Sequence, residues 1–367
     1  MIKKSLFSLL ATLVVYLLAW PVEIDPVSWQ APENLGYTQD FAQNQQLSQL
    51  HRIELDGAIG PEDYALDAQQ NIYFSLLSGD IKYIDSSGVI HDWVNTGGRP
   101  LGIEFDAQGN LIVADAFKGL LKIDVKGKIE TLVTSVDGID VNYADDVDIS
   151  DNGKIYFSDA STKFHAKQYG TYGASLLDIN EHGGHGRLIE YDPRTKVAVT
   201  LASGFNFANG VTMSHDNQWV LMNETGHYRV LKIALTGDNR GQYQVLIDGL
   251  PGFPDNINQG SNGLYWFGMV SPRSKALDML SGSSFARKIV QRLPAFMRPK
   301  AQHFGHVVAI DGEGVVKHNL QDPLGMYGHT TGALEVGDQL YISSLHETAL
   351  AKTLNPNYSH STVVTQE

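Results

Sequence analysis

The chain is 367 residues long, enough for a large core and, by length alone, for one to three domains. With 19% charged and 43% hydrophobic residues it reads as globular and not disordered. A formal net charge of -14 argues against a nucleic-acid partner, and the absence of cysteine removes disulfides, thiolate metal sites and cysteine nucleophiles together.

Residues 1–22 open with Lys3 and Lys4 and continue as an uncharged, mostly apolar run from Ser5 to Trp20. This predicts a signal-anchor helix that holds the chain in a membrane, with the body on the non-cytoplasmic side, periplasmic or lumenal. The alternative is a cleaved signal peptide and a secreted protein. Residues 23–50 are polar and weakly patterned, and read as a linker.

From residue 51 a repeat sets in. Asp67-Ala-Gln-Gln-Asn-Ile-Tyr-Phe is echoed at Asp106, Asp151, Asp216, Asn262 and Gly337. Each copy is a turn cluster followed by a short apolar β run. Six copies predict an all-β fold, a six-bladed β-propeller over residues 51–355. No sustained 3.6-residue stripe supports helices in this body. The stretch 271–304 breaks the pattern. Its apolar set is Ile289, Val290, Leu293, Phe296 and Met297, and it holds seven basic residues against one acid, Asp278. It is expected as a short helical insertion, either a lid, a membrane-facing patch or a solvated surface helix. Residues 356–367 are a C-terminal tail.

Four loops recur at one phase of the repeat: Gly60-Pro61-Glu62-Asp63, Tyr143-Ala144-Asp145-Asp146, Phe207-Ala208-Asn209-Gly210 and Gly252-Phe253-Pro254-Asp255-Asn256. Oxygen side chains placed by tight loops suit a hard cation such as calcium, unless they are ordinary Asx and Gly turns.

Pro100-Leu-Gly-Ile-Glu-Phe-Asp, Val113-Ala-Asp-Ala-Phe-Lys-Gly-Leu, Ile155-Tyr-Phe-Ser-Asp-Ala-Ser, Asn209-Gly-Val with Asn223-Glu-Thr, and Leu250-Pro-Gly-Phe-Pro-Asp-Asn-Ile together resemble the strictosidine synthase-like family. The N-terminal Asp25-Pro-Val-Ser-Trp-Gln-Ala-Pro is similar to its membrane-anchored members. The resemblance runs from about 50 to 350 and implies a six-bladed propeller related to the calcium-dependent paraoxonases and gluconolactonases. It implies a tunnel Ca2+ held by Glu62, Asp145, Asn209, Asp255 and Asn256. It also implies a second, structural Ca2+ at Asp63, Asp146 and the carbonyl of Ile103, strand alternation sending the two members of each doublet to opposite sides.

Two departures limit what carries over. Leu101 stands where paraoxonases have a histidine, and Thr331 where true synthases have their catalytic glutamate, so an amine-condensing synthase is not expected. What the resemblance implies is a metal-assisted hydrolase of a small ester or lactone. Asp255 would be ligand and candidate base or nucleophile, and His329 a candidate acid or base, unless it is a structural histidine. His165, His303 and His306 are weaker candidates. The competing reading is a non-catalytic, membrane-tethered propeller with structural calcium that binds a partner or lipid. No Gly-x-Ser-x-Gly, His-Glu-x-x-His or phosphate loop is present, and neither substrate identity nor oligomeric state is legible.

Overall fold

The structure, a computed structural model, describes residues 2–358. Six four-stranded antiparallel sheets stand around a central axis, as the repeat predicts. In blade 1 the order from the axis outward is Tyr64–Leu66, Ile72–Ser75, Asp80–Ile84 and Ile90–Asn95. The inner strands of blades 2 to 6 are Pro100–Phe105, Ala144–Ile149, Ala208–Met213, Gly252–Gln259 and Thr330–Val336. The ring closes through the first strand of the body. His51–Glu54 becomes the outermost strand of blade 6, pairing His51 with Lys352 and Glu54 with Ala349.

The core lies between blades. One cluster joins Tyr156 and Leu188 of blade 3 to Val211, Val220 and Met222 of blade 4. Apolar strands buried on both faces explain why the β runs show little alternation. The six Asp- or Gly-containing turns link inner to second strands. Asp67 Oδ1 accepts from the Gln69 and Asn71 N–H groups, and Asp106 Oδ1 from those of Gln108 and Asn110.

Helices α1 (Ile2–Ala19), α2 (Ala166–Tyr169), α3 (Thr171–Glu181), α4 (Lys275–Leu280) and α5 (Ser284–Arg292) decorate the ring. α4 and α5 form the expected insertion, between the second and third strands of blade 5. The helices α2 and α3, inserted at the equivalent place in blade 3, are not foreseen by the periodicity. The reason is the buried face of α3: Ala174, Leu177, Asp178 and Glu181 follow helical spacing, but two of the four are acids. The two insertions meet, Arg287 donating to the carbonyls of Asn180 and Glu181.

Residues 23–50, expected as a linker, lie against the propeller as a strap. Val27 N–H donates to Glu181 O, Trp29 N–H to Ser281 O and Leu47 N–H to Gln321 O, while Ile24 and Leu47 are buried. Among the described residues no helix is long and apolar enough to cross a membrane. α1 has 18 residues, about 27 Å against a hydrocarbon core of about 30 Å, and its first turn carries Lys3 and Lys4. Its end is fixed to the body: Arg292 donates to the carbonyls of Trp20 and Leu17, two of the free carbonyls at a helix C-terminus. Of the tail, residues 359–367 lie outside the described residues, and Asn357 Nδ2 donates to Ser261 O.

Candidate metal centre in the central tunnel

The four loops converge at one end of the tunnel. One carboxylate oxygen each from Glu62, Asp145 and Asp255 lies within 4.8 Å of the other two, and all three residues are buried. Asn209 Nδ2 donates to Asp255 Oδ1 (2.5 Å), and Asn256 Nδ2 to Glu62 Oε1 (3.2 Å). The five side chains expected at a tunnel ion are therefore brought together.

A backbone irregularity does the aiming. In blades 2 to 6 the register between inner and second strand shifts between Pro100 and Ile103, Ala144 and Val147, Ala208 and Val211, Pro254 and Ile257, and Thr330 and Ala333. In blades 3, 4 and 5 the shift brackets Asp145-Asp146, Asn209-Gly210 and Asp255-Asn256. β-Bulges re-aim side chains in this way, so Asp145 and Asp146 in blade 3, and Asp255 and Asn256 in blade 5, owe their divergence to bulges and not to plain strand alternation. Gly210 sits in one of them because blade 5 passes close by. A Cβ there would lie 2.4 Å from Asp255 O and 2.6 Å from Asn256 Cα. The Asn223-Glu-Thr motif supports the same loop: Asn223 Nδ2 donates to Asp255 O and Thr225 Oγ1 to Pro254 O.

Burial pushes Glu62 and Asp145 well above the usual carboxylate range, and the negative charge of Asp255 adds to it in both. Burial also raises Asp255, to about 7, against the hydrogen bond from Asn209. The buried Arg99 guanidinium offsets part of this, and sequence reasoning missed it because it precedes the recognisable Pro100-Leu-Gly motif. Glu62 Oε2, Asn209 Oδ1 and Asn256 Oδ1 are buried acceptors without a hydrogen-bond partner. Buried polar atoms are rarely left so, and an all-oxygen set with three carboxylates fits a hard divalent cation.

The doublet partners meet main-chain donors. Asp146 is saturated by backbone donors, Oδ1 by Val147 N–H and Oδ2 by Val211 N–H of blade 4. Ile103 meets Asp63 Oδ2 through its N–H (2.9 Å), not its carbonyl. Only Asp63 Oδ1 is left free. Asp63 and Asp146 thus link neighbouring blades through main-chain donors, at the position where the resemblance implies a second cation.

Above the carboxylates opens a cavity of about 1040 Å3, walled by Leu101, Tyr143 and Phe207 and roofed by both helical insertions. His329 does not line it. Its Nδ1 faces the Val270 carbonyl (3.1 Å), and its ring packs edge-on against His303 and His346. His346 does line the cavity, with burial and then the Arg99 charge lowering its pKa. His165 precedes α2, His303 pairs with Glu347, and His306 is buried against Asn319.

Comparison with known proteins identifies the lineage. A strictosidine synthase model matches residues 145–238, and a model of the strictosidine synthase-like N-terminal region matches residues 40–84. Over 298 residues, 78% of this chain and 76% of the relative, it is 34% identical to strictosidine synthase-like protein 4 of Arabidopsis thaliana. The chain belongs to the strictosidine synthase-like family. Another member, the adipocyte plasma membrane-associated protein of Salmo salar, is 30% identical over 92% of this chain and 85% of its own length. Among solved structures, a gluconolactonase of Xanthomonas campestris superposes with a TM-score of 0.60 at 16% identity, covering 83% of this chain and 88% of that one. A calcium-binding regucalcin of Agrobacterium tumefaciens gives 0.57 at 14%, covering 83% and 93%. At such identities these structures establish the fold alone.

In this strictosidine synthase-like chain Thr331 donates to Glu62 O (2.6 Å) and contacts Ser343 Oγ. It fixes a tunnel loop and offers no acid. Leu101 packs with Ile24, Tyr143, Phe164 and Phe207.

Proposed function

We propose that the protein is a divalent-cation-dependent hydrolase of small esters or lactones, with calcium as the cation, held at a membrane by α1. The observation that carries this reading is the trio Glu62, Asp145 and Asp255 with its unpaired buried acceptors at the floor of a large cavity. Glu62, Asp145, Asn209, Asp255 and Asn256 would hold the ion. When bound, it supplies Lewis-acid polarisation of the carbonyl under attack. The gluconolactonase and the calcium-binding regucalcin among fold neighbours support the reaction class and the metal, and the name of the Salmo salar relative supports the membrane.

The chain's own residues divide the remaining work. Leu101, Tyr143 and Phe207 exclude water from the acyl group. Burial, with the charges of Asp145, Asp255 and Glu62, keeps the Tyr143 hydroxyl protonated, so it serves as a donor on the cavity wall. Asp255, oriented by Asn209, is a ligand first and a base second. His346, held neutral, takes over the acid or base role expected of His329, which supports it by ring packing.

One observation favours the non-catalytic reading, namely that Leu101 and Thr331 both serve packing and loop support. A panel of aryl esters and lactones, assayed with calcium and with chelator, separates the two. Chelator-sensitive turnover supports the hydrolase. Bound calcium without turnover on any substrate supports the binding module.

A further inference from the structure

α5 is built inside out. Its buried residues are Arg287, Gln291 and Arg292, whereas Phe285 on its outer side is 57% exposed. The buried arginines are held by main-chain carbonyls: Arg287 by those of Asn180, Val27 and Ser281, Arg292 by those of Leu17 and Trp20. A helix facing water normally shows the reverse distribution. The apolar exposure continues along the insertion, with Met279 83%, Phe296 77% and Met297 56% exposed. Exposed apolar side chains gathered in one element mark an interaction surface.

Charge points to the occupant. Lys275 and Lys300 are exposed on the insertion. Its one acid, Asp278, is taken up by Arg273 and Tyr228. In a chain of net charge -14 this cationic, apolar face complements an anionic lipid surface, which would repel most of the molecule. Position agrees. Arg292 of α5 clamps the end of α1, whose Leu6, Phe7, Leu10 and Leu13 are exposed along its length. Any bilayer that receives α1 lies beside the insertion.

We propose that the blade 5 insertion, α4 to Met297, docks on an anionic bilayer beside α1 and presents the cavity mouth to the membrane surface. Met297 belongs to both the exposed patch and the cavity lining, as do Tyr172 and Leu176 of α3. The cavity would then draw amphiphilic molecules from the membrane and not from free solution. This inference shares the α1 contact with the functional reading but does not depend on hydrolysis.

The cysteine-free chain allows a direct test. Full-length Phe296→Cys, Leu10→Cys and Val125→Cys are each labelled with an environment-sensitive fluorophore. They are reconstituted in phosphatidylserine-containing vesicles, with and without spin-labelled lipid. Val125 is an exposed residue in a turn of blade 2 and serves as the aqueous reference. Labels at 296 and 10 should shift to the blue and be quenched by the lipid spin label, and the label at 125 should do neither. Adding Lys275→Glu and Lys300→Glu should weaken quenching at 296, most at low ionic strength. A label at 296 that reads like 125 overturns the proposal, whatever position 10 does. Lipid quenching at 296 with an aqueous label at 10 keeps the insertion contact and removes the α1 tether instead. A blue shift at 296 without lipid quenching, lost when the protein is diluted among vesicles, would assign the patch to a second copy of the chain and also overturn it.

Discussion

Some inner hairpins carry acids at the turn end and some at the tunnel end, and the two ends treat them in opposite ways. At the turn, Asp67 and Asp106 each accept main-chain N–H groups two and four residues on, close to solvent. At the tunnel end, Glu62, Asp145 and Asp255 are buried against one another with acceptor atoms left over. The turn acids complete a local hydrogen-bond pattern that needs nothing beyond their own hairpin. The tunnel acids have no local solution. Their charges come from three blades, Arg99 offsets only part of them, and a cation or protons must balance the rest.

The strongest way to break this contrast is to remove a tunnel ligand. Glu62→Gln and Asp255→Asn should each lower chelator-sensitive ester or lactone turnover by roughly 10²–10³-fold, the size of one preorganised electrostatic element. Steady-state kinetics at saturating calcium measures this, and unchanged turnover in both variants would separate the trio from the chemistry.

The protons offer a second approach. The tunnel acids have folded-state pKa values above their unfolded values, so without metal the native chain binds more protons than the unfolded one. Stability from these groups is then present at low pH and lost as pH rises through about 7, where Asp255 ionises. In chelator, the melting temperature should fall between about pH 5 and about pH 8, and calcium should restore more of it at the higher pH. A melting temperature that climbs over this range in chelator would contradict the burial of these charges.

A smaller effect sharpens the comparison within the tunnel itself. Asp146→Ala leaves the buried N–H groups of Val147 and Val211 unpaired, at about 1–3 kcal/mol each. Because the partners are main-chain donors, denaturant melts should show the same loss with calcium and with chelator. A loss confined to calcium-loaded protein would restore the second ion to this position.

Smallest of all, Asp67→Ala should cost about 0.5–1.5 kcal/mol through its lost turn hydrogen bonds, with the calcium response of the melt intact.

How far the sequence could be read follows the same division. The turn clusters recur once per blade, and that recurrence revealed the blade count. The converging loops were legible as a group, and Asn209-Gly210 has a local reason, since only glycine allows blade 5 so near. Arg99, His346 and α3 were not legible. Arg99 and His346 matter through charge and position relative to other blades, and α3 hides its apolar stripe behind Asp178 and Glu181. The strap at 23–50 looked like a linker because its few anchors, Ile24, Trp29 and Leu47, lie too far apart to make a pattern.

By itself the sequence determined the propeller, the family and the oxygen-rich loops, because each is written in short-range spacing of turns, β runs and motifs. Tertiary structure decided which oxygens face one another. Bulges in the inner strands of blades 3, 4 and 5 turned their motif residues, and with Glu62 from blade 1 the acids Asp145 and Asp255 meet on the axis while Asp63 and Asp146 go to main-chain donors. It also put arginine inside α5 and phenylalanine outside, because the carbonyls of the strap and α1 that satisfy those guanidinium groups arrive from far away in the chain. Hydrogen bonds between distant segments leave no period in a sequence.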